Sequence, residues 1–131
     1  MVRIFSIVEN EQMISIFDSV FEDTNYEMEW LAHEAKLYER LRESDKAIVF
    51  LPESYVYNIY SLCLFLKQHT MSTKVVLVFN KEDDIDSAKA LMARADEVII
   101  LEANDNEIQE DIMSTIESYQ ESFKYRPLVA K

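Results

Sequence analysis

The stretch KAIVFLP, Lys46 to Pro52, decides how this chain folds. After one lysine it is apolar throughout, with no alternation between water-loving and water-avoiding positions. A strand built this way has no face to turn to solvent, so both of its sides must be covered. Two more runs share that property: KVVLVFN, Lys74 to Asn80, and EVIIL, Glu97 to Leu101. VRIFSIV, Val2 to Val8, has the length and β-rich composition of a buried strand as well.

Helical patterns fill the gaps between these runs. Met13, Ile16, Phe17, Val20 and Phe21 recur at the spacing of one helix face. A short helix follows with Leu37, Tyr38 and Leu41 inward, then an unusually apolar one from Ser54 to His69 and an alanine-rich one from Asp83 to Ala95. Asn104 or Asp105 can cap a last helix that carries Ile108, Ile112, Ile116 and Tyr119 on one side. Around Tyr26 to Leu31 the period becomes two, and Glu27 and Glu29 alternate with Tyr26, Met28 and Trp30. That pattern suits an edge strand whose charges discourage foreign pairing. Five strands alternating with five helices predict one flavodoxin-like α/β domain over residues 1–122: a three-layer sandwich around a five-stranded parallel sheet in the order 2-1-3-4-5. Residues 123–131 read as a tail or the start of a linker.

Composition narrows the functions. The chain has 131 residues, 49% apolar and 29% charged, which is ordinary globular make-up. Its formal charge of −12 repels phosphate backbones and anionic lipid, and no Lys/Arg cluster offsets it. There is no glycine at all, so neither a Walker loop nor a dinucleotide fingerprint can be built. Cys63 lies inside an apolar run and reads as a small buried hydrophobe of a reducing compartment. The longest apolar candidate for a membrane span, around Tyr55 to Leu66, is broken by Asn58 and Ser61. A cytoplasmic protein is expected. His33 and His69 have no His or Cys nearby at metal-ligand spacing and read as ordinary surface or satisfied residues. Asp83, Asp84 and Asp86 read as the acidic start of a helix.

IVENE, Ile7 to Glu11, resembles the acidic turn that closes the first strand of the response-regulator receiver (CheY-like) family, and ARADEVI, Ala93 to Ile99, resembles the run before that family's fifth strand, with Arg94 where glycine is usual. Strand spacing agrees from Val2 to about Ser122. The resemblance implies a pocket at the strand ends in which an acidic pair and an aspartate hold Mg²⁺, assisted by a hydroxyl and a lysine. Here Leu51 or Pro52 falls at the acceptor position, with Glu53 just beyond. Phe79 or Asn80 takes the hydroxyl position, and the fifth strand ends at Leu101 with no lysine. Only Glu9, with Asn10 beside it, survives of the charged set. A degenerate pocket, no metal, no cofactor and no catalysis are therefore expected. Glu53 reads either as a standing imitation of the phosphorylated state or as a carboxylate at a helix start.

Ten of the twelve residues of YVYNIYSLCLFL, Tyr55 to Leu66, are apolar. Either their second face meets a protein partner, through Tyr55, Tyr57 and Tyr60, or the helix is buried more deeply than usual. A competing surface carries Ile85, Ala88, Met92 and Ile100. The expected function is that of a pseudo-receiver, a phosphorylation-independent module that binds a protein or a second copy of itself. Within that class the chain is similar in style to the N-terminal atypical receiver of TadZ/CpaE-type pilus-assembly ATPases. The alternatives are an unorthodox phosphoacceptor and a small-molecule sensor using the pocket at the strands' carboxyl ends.

Overall fold

The computed structural model describes residues 2–7, 11–44, 46–53, 58–70, 72–102 and 105–129, with residues 12, 105 and 121–129 described by backbone only. Strands β1 (Arg3–Ile7), β2 (Met28–Leu31), β3 (Ala47–Pro52), β4 (Thr73–Phe79) and β5 (Glu97–Ile100) form one parallel sheet in the order β2-β1-β3-β4-β5. Helices α1 (Glu11–Phe21), α2 (Glu34–Arg42), α3 (Ile59–His69), α4 (Ser87–Met92) and α5 (Asp105–Val129) connect and follow them. This is the flavodoxin-like sandwich expected from the strand pattern. The backbone of α5 stays helical to Val129, through most of the stretch read as a tail.

Alternate residues of the central strands feed two separate cores. Phe5, Ile7, Val49, Leu51, Val75, Leu77 and Phe79 pack under α2, α3 and α4. Ile4, Ile48, Phe50, Val76 and Val78 pack under α1 and α5, where Phe17 and Phe50 meet edge-on with ring centroids 4.9 Å apart. Ser6 is buried in the middle of β1, and its hydroxyl donates to the Phe50 carbonyl at 2.7 Å, so its polar atom is satisfied. At the β2 edge the Glu29 carboxylate accepts from Arg40 at 2.7 and 3.0 Å and from Arg3 at 3.1 Å. The Arg40 hydrogen bond, with the charges of Arg40 and Arg3, holds the Glu29 carboxyl below the usual carboxylate range against the opposing effect of burial.

Two helices begin later than their sequence pattern suggests. Helix α3 starts at Ile59, because the Asn58 side chain accepts from the N–H groups of Tyr60 and Ser61 at 2.9 and 3.3 Å and fixes the N-cap there. The expected helix from Asp83 to Ala95 is corrected to a 3-10 turn, Glu82–Asp84, followed by α4. Ile85 and Asp86 are extended, and the Asp86 carboxylate caps the Lys89 N–H at 3.0 Å. A capping residue must itself be non-helical, so the acidic run ends one turn and starts another.

A chain without glycine must place other residues wherever the backbone turns left-handed. Among the described residues Ser72 (φ 58°) and Arg94 (φ 64°) do so. Arg94 follows the C-cap Ala93 of α4. Its N–H reaches the Leu91 carbonyl at 3.0 Å, and the Ala95 N–H reaches Ala90 at 3.2 Å. These paired bonds satisfy the last carbonyls of the helix and need a positive φ at the position between them, which glycine usually occupies. The Cβ of Arg94 clashes in this conformation where glycine has none. Arg94→Gly is expected to stabilise the fold by about 1 kcal/mol, read as a higher midpoint of urea unfolding at an unchanged slope.

Candidate functional site

In an open parallel sheet the chemistry gathers beyond the carboxyl ends of the strands, and in this sheet hydrocarbon fills much of that end. Leu51 and Phe79 are buried under α3 and α4, and Pro52 is buried beside them. The rings of Phe79 and Tyr60 lie 6.3 Å apart. Leu101 is buried on the opposite face, and its N–H donates to the Phe79 carbonyl at 2.8 Å, continuing the β4–β5 ladder one step. Pro52 has no N–H. Pairing of β3 with β4 runs to Pro52 and Val78.

Two of the described polar residues at this end, Glu53 and Asn80, are joined by hydrogen bonding. The Glu53 N–H donates to the Val78 carbonyl at 2.8 Å, and its carboxylate accepts from the Asn80 N–H at 2.7 Å. Both bonds tie the end of β3 to the end of β4. The reading of Glu53 as a carboxylate at a helix start is thereby corrected: α3 begins at Ile59, and the side chain reaches β4 instead. Glu9 and Asn10 lie outside the described residues. Among the described residues no three His, Cys, Asp or Glu side chains converge as a metal site requires.

The ARAD run has a structural task. Asp96 accepts from the Val75 N–H at 2.7 Å and from the Lys67 ammonium at 2.8 Å, and that ammonium also donates to the Thr73 carbonyl at 3.0 Å. The C-terminal turn of α3 and the starts of β4 and β5 are clamped by this one cluster. Close by, the Cys63 thiol donates to the Ala93 carbonyl at 3.4 Å. Burial, with a smaller push from Asp96, raises it to about 11, so it stays protonated and unreactive.

The expected interface residues separate. Tyr55 and Tyr57 lie outside the described residues. Tyr60 is half-buried against the core, and its hydroxyl accepts from the Asp86 N–H at 3.0 Å. Ile85 is half-buried against the same core. Ala88 and Met92 are exposed on α4, and Ile100 is half-buried on β5. The apolar excess of α3 is mostly buried: Ile59, Leu62, Cys63 and Leu66 face the core and Leu64 packs partly against it, leaving Phe65 exposed. Leu91 and Val98, also exposed, were not picked out by periodicity. The available signal was the small pair Ala90 and Ala93, three apart, which turns the core face of α4 away from Leu91 and Met92. One cleft, of about 670 Å³, opens at the amino ends of β1 and β2, between Arg3, Tyr26, Met28 and Gln120.

No known family matches the sequence, and no curated protein does. Solved structures match the fold over almost its full length. The signal receiver domain of an HD domain-containing protein from Pseudomonas fluorescens has a TM-score of 0.75 at 14% identity, covering 93% of this chain and 91% of that one. The receiver domain of a CheY-like protein from Methanospirillum hungatei gives 0.71 at 15% identity, covering 93% and 98%. That of a Luxo repressor protein from Vibrio parahaemolyticus gives 0.73 at 11% identity, covering 98% and 97%. The fold is that of response-regulator receivers.

Removing the Glu53 carboxylate leaves the Asn80 N–H without its acceptor. Glu53→Ala is expected to cost about 1 kcal/mol in chemical denaturation, while Glu53→Gln, which keeps an acceptor, costs less. Equal stability of all three proteins would show that the carboxylate ties nothing.

Proposed function

We propose that this chain is a pseudo-receiver: a non-catalytic module that keeps the receiver fold for its surfaces and works by binding protein, first of all a second copy of itself. The observation that carries this reading is the side of the molecule at α4 and β5. Leu91 is 80% exposed, Met92 77% and Val98 36%. A six-residue helix gives only Ala90 to the core, so its large apolar residues are left outside, where they cost solubility unless a partner covers them. The hydrocarbon at the carboxyl ends supports the same reading, because Leu51, Pro52 and Phe79 cannot accept a phosphoryl group. The finer resemblance to the atypical receiver of TadZ/CpaE-type pilus-assembly ATPases rests on that degenerate pocket, and in such a setting the α4–β5 side would position an assembly machine.

Light scattering over a concentration series tests the proposal. The wild-type chain is expected to self-associate, and Met92→Glu to weaken association at least tenfold by burying an unpaired charge. A monomer at every concentration, or a Met92→Glu protein that associates like the wild type, would overturn self-association through this face.

A further inference from the structure

The α4 patch carries a sulfur atom that is open to solvent. Of the chain's six methionines, Met13, Met28, Met92 and Met113 fall among the described residues. Met13 on α1 is 1% exposed, and Met28 and Met113 are half-buried against the core beneath α1 and α5. Met92 is the exception, 77% exposed at the last residue of α4. Cys63, the chain's other kind of sulfur, is buried and stays protonated, so it competes poorly for an oxidant. Thioether oxidation follows exposure, which singles out Met92 among the described methionines.

The neighbours of that sulfur give its oxidation a consequence. Leu91 beside it and Val98 on β5 are exposed hydrocarbon, and the exposed cations Lys89 and Arg94 bound the pair along the chain. The apolar area is therefore small, and Met92 is a large share of it. A thioether buries as hydrocarbon does, whereas a sulfoxide carries a polar oxygen that needs a hydrogen-bond donor. Leu91 and Val98 have no side-chain donor to offer, so a sulfoxide covered by a partner on this patch is costly.

We propose that Met92 is an oxidation site for peroxides, and that its conversion to the sulfoxide releases the self-association made through the α4–β5 side. The inference rests on the self-association proposed above and names its regulation. A lone pair on Sδ attacks one peroxide oxygen, the O–O bond breaks, the S–O bond forms and the other oxygen leaves as water. The sulfur loses two electrons and the peroxide gains them. The reverse step takes two electrons from a dithiol, which becomes a disulfide, and releases the oxygen as water. Association and oxidation exclude each other, because a partner that covers the patch also covers the sulfur.

The test adds dilute hydrogen peroxide to the full chain, with peptide mapping by mass for each methionine and light scattering for association. Met92 is expected to take up oxygen before Met13, Met28 and Met113, and to do so more slowly as protein concentration rises into the associating range. The oxidised protein is expected to associate about tenfold more weakly. Met92→Gln is expected to behave like the oxidised protein. Met92→Leu, which keeps the hydrocarbon without the sulfur, is expected to associate like the wild type before and after peroxide, which separates oxygen taken up at Met1 or Met71 from the effect of Met92. Oxygen appearing at Met13, Met28 or Met113 as early as at Met92 would overturn the site. Oxidised Met92 with unchanged association, or Met92→Leu losing association on peroxide treatment as the wild type does, would overturn the switch. A chain that is monomeric at every concentration and still takes its oxygen first at Met92 would overturn the self-association and its regulation while upholding the modification site.

Discussion

All six residues of β3 are buried. Ala47, Val49 and Leu51 face one helical layer, and Ile48 and Phe50 the other, so neither layer can be removed without exposing the centre of the sheet. Full burial of a Val, Leu, Ile or Phe side chain contributes about 1.5–3 kcal/mol, and truncating one leaves a cavity the surroundings only partly close. Parallel pairing to β1 and β4 then follows, because a strand covered on both faces needs crossover helices rather than hairpins. The same burial shapes the site. Leu51 and Pro52 continue the apolar strand to its carboxyl end.

Much of this was legible in the sequence, because burial on two faces removes all alternation and KAIVFLP, KVVLVFN and EVIIL show it directly. The stripe on α1 and the isoleucines of α5 were equally plain, since Phe17, Ile108, Ile112 and Ile116 fall at helical spacing and all are buried. Competition between hydrogen bonds was harder to read. Asp83, Asp84 and Asp86 suit a helix start equally well in composition, and only the bond from the Lys89 N–H to Asp86 settles which one caps. Glu53 likewise has a helical reading in sequence, and its bond to Asn80 depends on β4 lying beside β3, twenty-seven residues on.

Surface assignment was the least legible. Ile85, Ala88, Met92 and Ile100 were expected to mark one surface, but α4 begins after Ile85, and Ile85 packs partly against the core. Leu91 and Phe65 are left exposed once their neighbours have filled the available space. Arg94 shows the opposite case. It stands in ARAD where the receiver family usually has glycine, and the structure turns left-handed there.

The receiver fold here combines an apolar strand end, one carboxylate tied to a neighbouring strand and an exposed apolar patch. The pseudo-receiver reading joins these features: the surfaces act, and the pocket contributes stability. Incubation with a small-molecule phosphodonor and Mg²⁺, followed by intact-mass measurement and peptide mapping, tests it most directly. The reading predicts no phosphoryl adduct at any donor concentration that saturates a catalytic receiver. A stable adduct mapped to Glu53, or to any carboxylate at the carboxyl end of the sheet, would contradict it.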